Sequence, residues 1–280
     1  MPRYLRDCRG HRCLLLLLAL MLGGCSALSF VYMNAATLGV LWIDRALDLP
    51  SAHKALLGDA AEQVHRWHKG EPAAELAVFL REARRRLQGP VDQADGEWIV
   101  TNAQEQVRRI GDRLAMTFGP RMPPFSEQQL ARVSRRLAER REDFAEEIGL
   151  GDPERERALR IERIEEAVDD WLGSVTDDQR RLVAASAAVA RFEPSLWLAE
   201  RARREANLVQ ALDARDGGVA LRAWFNDWLT GRPPEAAAAL DAQRADAIAM
   251  WVAVFNSATP SQRAHLLDRL DGWAEVFEDP

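Results

Sequence analysis

Glu62, His65 and His68 fall within one seven-residue stretch, Glu62-Gln63-Val64-His65-Arg66-Trp67-His68. A carboxylate and an imidazole three residues apart share a helix face, and Glu-x-x-His is half of the motif that holds a di-iron centre in a helical bundle. The other half is missing, because neither His53 nor His265 has a glutamate three residues before it. Surface histidines beside a packed Trp67 satisfy the spacing more simply, so no metal and no other cofactor is expected. Other chemistry is as thinly supported. The chain contains no Gly-x-Ser-x-Gly elbow, no Walker-type phosphate loop and no Gly-x-Gly-x-x-Gly. Glu165, Glu166, Asp169 and Asp170 crowd together, but a helix face full of acids is ordinarily solvated. No catalytic residue can be named, and the chain reads as a protein that is not an enzyme.

Cys25 has the strongest chemical context. Arg3, Arg6, Arg9 and Arg12 stand against a single acid, Asp7, and residues 13–22 are then uninterruptedly apolar. A basic segment followed by such a run is a secretory signal peptide, and about ten residues is half of what a helix needs to cross a bilayer. The run closes on Leu22-Gly23-Gly24-Cys25. A leucine three residues before a cysteine, with small residues between, resembles the bacterial lipobox. Gly23 stands where alanine or serine is commoner. The resemblance implies that the Cys25 thiol receives a diacylglycerol, that the chain is cut after Gly24, and that the new amino terminus is acylated. Three acyl chains anchor a protein firmly, whereas one binds only marginally. Ser26 follows rather than aspartate, which by the same resemblance favours the periplasmic face of the outer membrane. Cys8 and Cys13 would leave with the leader, and the mature chain would hold neither a free thiol nor a disulfide.

The remaining composition sets limits. In 280 residues, 48% are hydrophobic and 29% charged, too apolar for a disordered chain. A formal net charge of -6 argues against a nucleic-acid partner. Lys54 and Lys69 are the only lysines, and alternation such as Asp152-Pro153-Glu154-Arg155-Glu156-Arg157 is the pattern of solvated helix faces.

Helices must position whatever the chain does. No segment alternates in the manner of a strand, whereas helical stripes recur: Leu76, Phe79, Leu80, Ala83 and Leu87; Leu130, Val133, Leu137, Phe144 and Ile148; Ile161, Ile164, Val168, Trp171 and Leu172; Leu266, Leu270, Trp273, Ala274 and Phe277. Prolines and glycines punctuate them, with connections mostly under six residues. The expected fold is all-α, an antiparallel array of about ten helices with no sheet. Residues 1–24 read as signal peptide, 25–49 as the acylated N-terminus and first juxtamembrane helix, and 50–280 as one helical periplasmic domain. Residues 27–43 are unusually apolar. They could lie on the bilayer, but the preferred reading makes them the first core helix.

Three segments share a local pattern, Ser126-x-x-Gln129, Thr176-x-x-Gln179 and Thr259-x-x-Gln262. In each, a hydroxyl can accept from the backbone three residues on while the Gln side chain reaches back, which is a capping box. The pattern also resembles the Leu-Thr-x-x-Gln signature of small periplasmic stress chaperones of the Spy type, with the leading leucine replaced. Nine tryptophans are present. Trp224, Phe225 and Trp228 crowd one helical face and, with Trp251, could line a hydrophobic groove, although core packing accounts for them as well.

Taken in order, Cys25-Ser26-Ala27-Leu28, Tyr32, Asn34, Leu41-Trp42, Trp67-His68, Trp171-Leu172-Gly173, the segment Phe192 to Arg201, and Asn256 to Arg263 resemble an uncharacterised family of Gram-negative outer-membrane lipoproteins of unknown function. The resemblance implies an all-helical lipoprotein and no activity. The expectation is a periplasmic scaffold, adaptor or chaperone-like protein held to the membrane through Cys25, with a protein partner or client. A lipid- or hydrophobic-ligand-binding module is the alternative.

Overall fold

A computed structural model describes residues 24–190, 193–231 and 233–279, with side chains from residue 28 onward. Among the described residues the chain is all-α: twelve helices and no strand. They are α1 Gly24–Met33, α2 Ala35–Leu47, α3 Ser51–His68, α4 Glu71–Arg86, α5 Gln93–Phe118, α6 Glu127–Glu147, α7 Pro153–Leu172, α8 Asp177–Val189, α9 Pro194–Asp213, α10 Val219–Thr230, α11 Ala237–Asn256 and α12 Pro260–Glu278. The apolar N-terminal stretch is two helices rather than one, because Asn34 interrupts it and bonds its side-chain amide back to the Phe30 carbonyl at 2.8 Å.

Local chemistry sets the starts. The three expected capping boxes are all formed, at Ser126, Thr176 and Thr259. A fourth, Asp92 with Asp95, opens α5. Proline occupies the first turn of α4, α7, α9 and α12, where its missing N–H costs nothing.

The apolar faces meet in two clusters. One gathers Tyr32 of α1, Ala73, Ala77 and Leu80 of α4, Val168 and Leu172 of α7, Val183 of α8, Met250 and Val254 of α11, and Leu266, Leu270, Ala274 and Phe277 of α12. The other gathers Leu47 of α2, Leu57 and Ala60 of α3, Ala115 and Phe118 of α5, Val133 and Leu137 of α6, Leu208 and Leu212 of α9, and Leu221 of α10. At about 39 Å, the 26-residue α5 is long enough to serve both, with Ile99 against the first cluster and Leu114 against the second. α4 and α12 form the most extensive pairing. Arg81 and Arg84 of α4 lace it to Asp271 at 2.5 Å each, and Arg81 reaches Glu278 at 2.9 Å. Asn256 splices the end of α11 to the loop before α5, accepting from the Val91 N–H and donating to its carbonyl, both at 2.8 Å.

Candidate functional site

The N-terminal helices have two apolar faces. In α1, Leu28 packs against the first cluster and Tyr32 is buried within it, one helical turn apart. In α2, Val40, Ile43 and Ala46 pack against the second cluster and Leu47 is part of it. The remaining apolar side chains face out. Phe30 is 66% exposed, Met33 68% and Trp42 67%, and Val31, Leu38 and Leu41 are exposed with them. The reading of 27–43 as a core helix therefore holds for one face only. On a helix that is apolar all round, the period of 3.6 cannot say which side is covered. Leu22 and Gly23 lie outside the described residues. Gly24 and Cys25 are placed in the first turn of α1, and their side chains lie outside the description.

Where α1 meets the body, three polar rings are packed together. The Tyr32 hydroxyl lies 2.9 Å from His68 Nδ1. The Tyr32 ring stands edge-on to His65 at 5.2 Å, to His68 at 5.6 Å and to Phe277 at 4.9 Å. His68 is buried, which corrects the expectation of surface histidines. His53, Leu57, Ala60, Val64 and His68 are the buried positions of α3, a core stripe with a histidine at each end. His53 Nε2 donates to the Pro123 carbonyl at 2.9 Å; facing a carbonyl, that nitrogen must carry the proton. Glu62 is exposed beside Arg66 at 3.8 Å and does not join the rings, and His265 lies against Gly173 at the end of α7. Among the described residues no three His, Cys, Asp or Glu side chains converge as a metal site would require.

Burial fixes the charge state of this cluster. It pushes the Tyr32 hydroxyl up to about 12, so Tyr32 keeps its proton and can donate to His68 Nδ1. Desolvation lowers the His68 pKa, and the positive fields of His65 and Arg109 lower it further. His65 is lowered by desolvation and by Lys69, against a hydrogen bond to the Tyr32 backbone. Both imidazoles are thus neutral in the fold at pH values where an unfolded histidine already binds a proton. Their contribution to stability is complete above the ordinary value of 6.5 and is lost as pH falls through the folded values. Urea midpoints should accordingly fall between about pH 7 and about pH 5, and the slope should flatten in the His65→Gln/His68→Gln variant. Equal slopes in the two proteins would show that these rings are not the source.

The tryptophan face divides between the clusters. Trp224 donates its indole N–H to the Arg204 carbonyl at 2.7 Å, sits 5.0 Å from Phe225 and stacks on Trp228 at 6.4 Å. Trp224 and Phe225 pack against the second cluster. Trp251 packs on Phe255 at 5.5 Å against the first. The structure thus brings Trp224, Phe225 and Trp228 together and sets Trp251 apart. Two open cavities lie elsewhere. One, of about 540 Å³, is bounded by Ala74, Val78, Arg81 and Arg85 of α4 and Glu278 of α12. The other, of about 390 Å³, is lined by Arg45 at the end of α2, Arg132, Arg135 and Arg136 of α6, and the acids Asp44, Asp48 and Glu139. Sequence reasoning missed this second site, because α2 and α6 are distant in the chain and no local spacing links them.

Residues 45–228 match the model of a family of unknown function, DUF6279. The matched segment runs from the end of α2 into α10, so it holds most of the second cluster and leaves out α1, α11 and α12. No curated protein and no solved structure matches the chain.

Proposed function

The chain belongs to this family of unknown function, and from that premise we propose that it is a lipid-anchored, non-enzymatic helical scaffold at the periplasmic face of the outer membrane, offering its helical body to a protein partner. The observation that carries the reading is how closely the acylation candidate adjoins the core. Cys25 lies in the first turn of α1, and Leu28 and Tyr32 of the same helix are already packed into the body. An acylated Cys25 would join bilayer and body through a helix rather than a flexible tether, holding the body in a fixed orientation. Binding rather than catalysis is supported by how the ionisable groups are used. Arg222 of α10 pairs with Asp112 of α5 at 3.2 Å, and Arg203 of α9 pairs with Asp227 of α10 at 2.9 Å, so these pairs hold helices together.

Labelled palmitate given to Gram-negative cells expressing the full chain should enter the wild type and not Cys25→Ser. Globomycin, which blocks lipoprotein signal peptidase, should make the uncut precursor accumulate, and the label should sediment with outer-membrane markers. Equal labelling of both chains with no precursor would overturn the anchor. Enrichment with inner-membrane markers would overturn the location.

A further inference from the structure

We infer that the exposed face of α1 and α2 lies in the plane of a phospholipid bilayer, with Phe30, Val31, Met33, Leu38, Leu41 and Trp42 in the outer acyl layer and the α2–α6 arginines at the headgroups. The inference rests on the anchor reading for the direction from which the bilayer approaches.

Four observations name a bilayer rather than a protein as the occupant. In a chain with 29% charged residues, none occurs from Gly24 to Ile43. The six large apolar side chains left exposed there are on two consecutive helices, the densest such group; of the others, Val107, Ile110 and Met116 share α5, Val219 and Trp228 share α10, and Val78, Leu150, Val189 and Trp197 stand apart. A contiguous apolar surface of this kind marks an interaction site. On α2 the exposed stripe reads Leu38, Leu41, Trp42, Arg45, at i, i+3, i+4 and i+7, so it passes from aliphatic to indole to guanidinium along its length. Such a stripe suits a helix lying flat at the interface, with aliphatic side chains dipping into the acyl layer, tryptophan at the interface and arginine extending its charge back to water. Arg45 then opens onto the cavity where it and Arg132, Arg135 and Arg136 stand against Asp44, Asp48 and Glu139; Arg136 is paired with Glu139 at 3.2 Å, and the planar guanidinium groups of the others suit phosphodiester oxygens. Finally, the face begins at Phe30, about a turn and a half after Cys25, so acyl chains on that residue would bring this surface, before any other, to the membrane.

As described, neither helix is long enough to span a bilayer. α1 and α2 have 10 and 13 residues, about 15 and 20 Å, against a hydrocarbon core of about 30 Å. Among the described residues no helix is long and apolar enough to cross a membrane. The opposite faces of both helices are held by the two core clusters, so the pair can only lie flat.

Thiols placed by Met33→Cys, Trp42→Cys and Val189→Cys in the full chain carrying Cys8→Ser and Cys13→Ser, processed in cells, purified, labelled with an environment-sensitive fluorophore and compared with the same chain lacking the added thiol, test this. The protein is reconstituted in phosphatidylethanolamine–phosphatidylglycerol vesicles carrying nitroxide-labelled acyl chains. Quenching at positions 33 and 42 should exceed that at 189 by about threefold or more, and Leu38→Asp/Leu41→Asp should bring position 33 down to the level of 189 while circular dichroism stays helical. Equal quenching at all three positions overturns the inference. Intact mass separates the two readings. An acylated chain with equal quenching overturns the face alone. A chain without acyl mass overturns the anchor; differential quenching in it still supports the face, and equal quenching overturns both.

Discussion

Gly218→Ala is expected to destabilise the fold by about 3 kcal/mol or more, one of the largest effects of any alanine substitution in the chain. The residue sits at φ +94°, and a Cβ there would come within 2.6 Å of the Ala115 carbonyl and 2.9 Å of the Gly119 Cα. Both neighbours are backbone, so neither can rotate away. The contact is reciprocal, since a Cβ on Gly119 would meet the Gly218 Cα at 2.3 Å. This is where the start of α10 rests on the end of α5, and Asp216 fixes it by accepting from the Gly218 and Ala220 N–H groups at 3.0 and 2.8 Å. Three variants separate contact from backbone strain. Gly217→Ala, at φ +70° with nothing within 4 Å, carries strain alone and should cost about 1 kcal/mol. Gly119, at φ -54°, carries contact alone. Gly119→Ala should therefore cost clearly more than Gly217→Ala, and Gly218→Ala most. Urea unfolding followed by circular dichroism gives the order. If Gly119→Ala costs no more than Gly217→Ala, the crossing is not tight and the account fails.

That crossing marks where the sequence stops being legible. Helices and their caps are local, and Ser126, Thr176 and Thr259 announce theirs within four residues. The Asp92–Asp95 box was hidden by an aspartate at the position where Glu or Gln is the usual signal. The α7 and α12 stripes read directly from a period of 3.6. The burial of His68 was in principle readable, because it continues His53, Leu57, Ala60 and Val64, but a search for apolar residues alone passes over both histidines. Pairings between distant residues left no trace. Nothing near Gly119 says that Gly218 will touch it, nothing near Arg45 points to α6, and nothing in Trp251 says that it will pack away from Trp224. The acylation candidate is the reverse case. Cys25 is legible in the sequence alone, and the structure adds what the sequence could not: the helix that follows it is committed to the core on one face and apolar and exposed on the other.

Replacing Gln262 by alanine should cost about 3 kcal/mol, several times the cost of the same change at Gln129. All three box glutamines serve their own caps, with Oε1 accepting from the N–H of Ser126, Thr176 and Thr259 at 2.8, 2.9 and 2.9 Å. At Gln129, near the surface, the cap is the whole contribution. Gln179 and Gln262 are 0% and 2% exposed and face each other across 83 residues. Gln179 Nε2 donates to Gln262 Oε1 at 3.1 Å, Gln262 Nε2 donates to Gln179 Oε1 at 2.9 Å, and Gln262 also donates to the Ser174 carbonyl at 2.9 Å. Two helix starts are thereby spliced through one buried amide pair. Removing Gln262 opens a cavity, frees the Thr259 N–H and strands Nε2 of Gln179 in a dry core, where an unmet group costs its full desolvation. Gln179→Ala should cost less, because Gln262 keeps Ser174. The double variant should cost less than the sum by about 1 kcal/mol or more, since the second truncation removes a partner already stranded. An additive cycle, or a Gln262→Ala no worse than Gln129→Ala, would mean that the pair contributes only two separate caps. A coupled one gives this Thr-x-x-Gln recurrence a structural cause at two of its three positions: the motif starts a helix and, where two copies meet, joins α8 to α12.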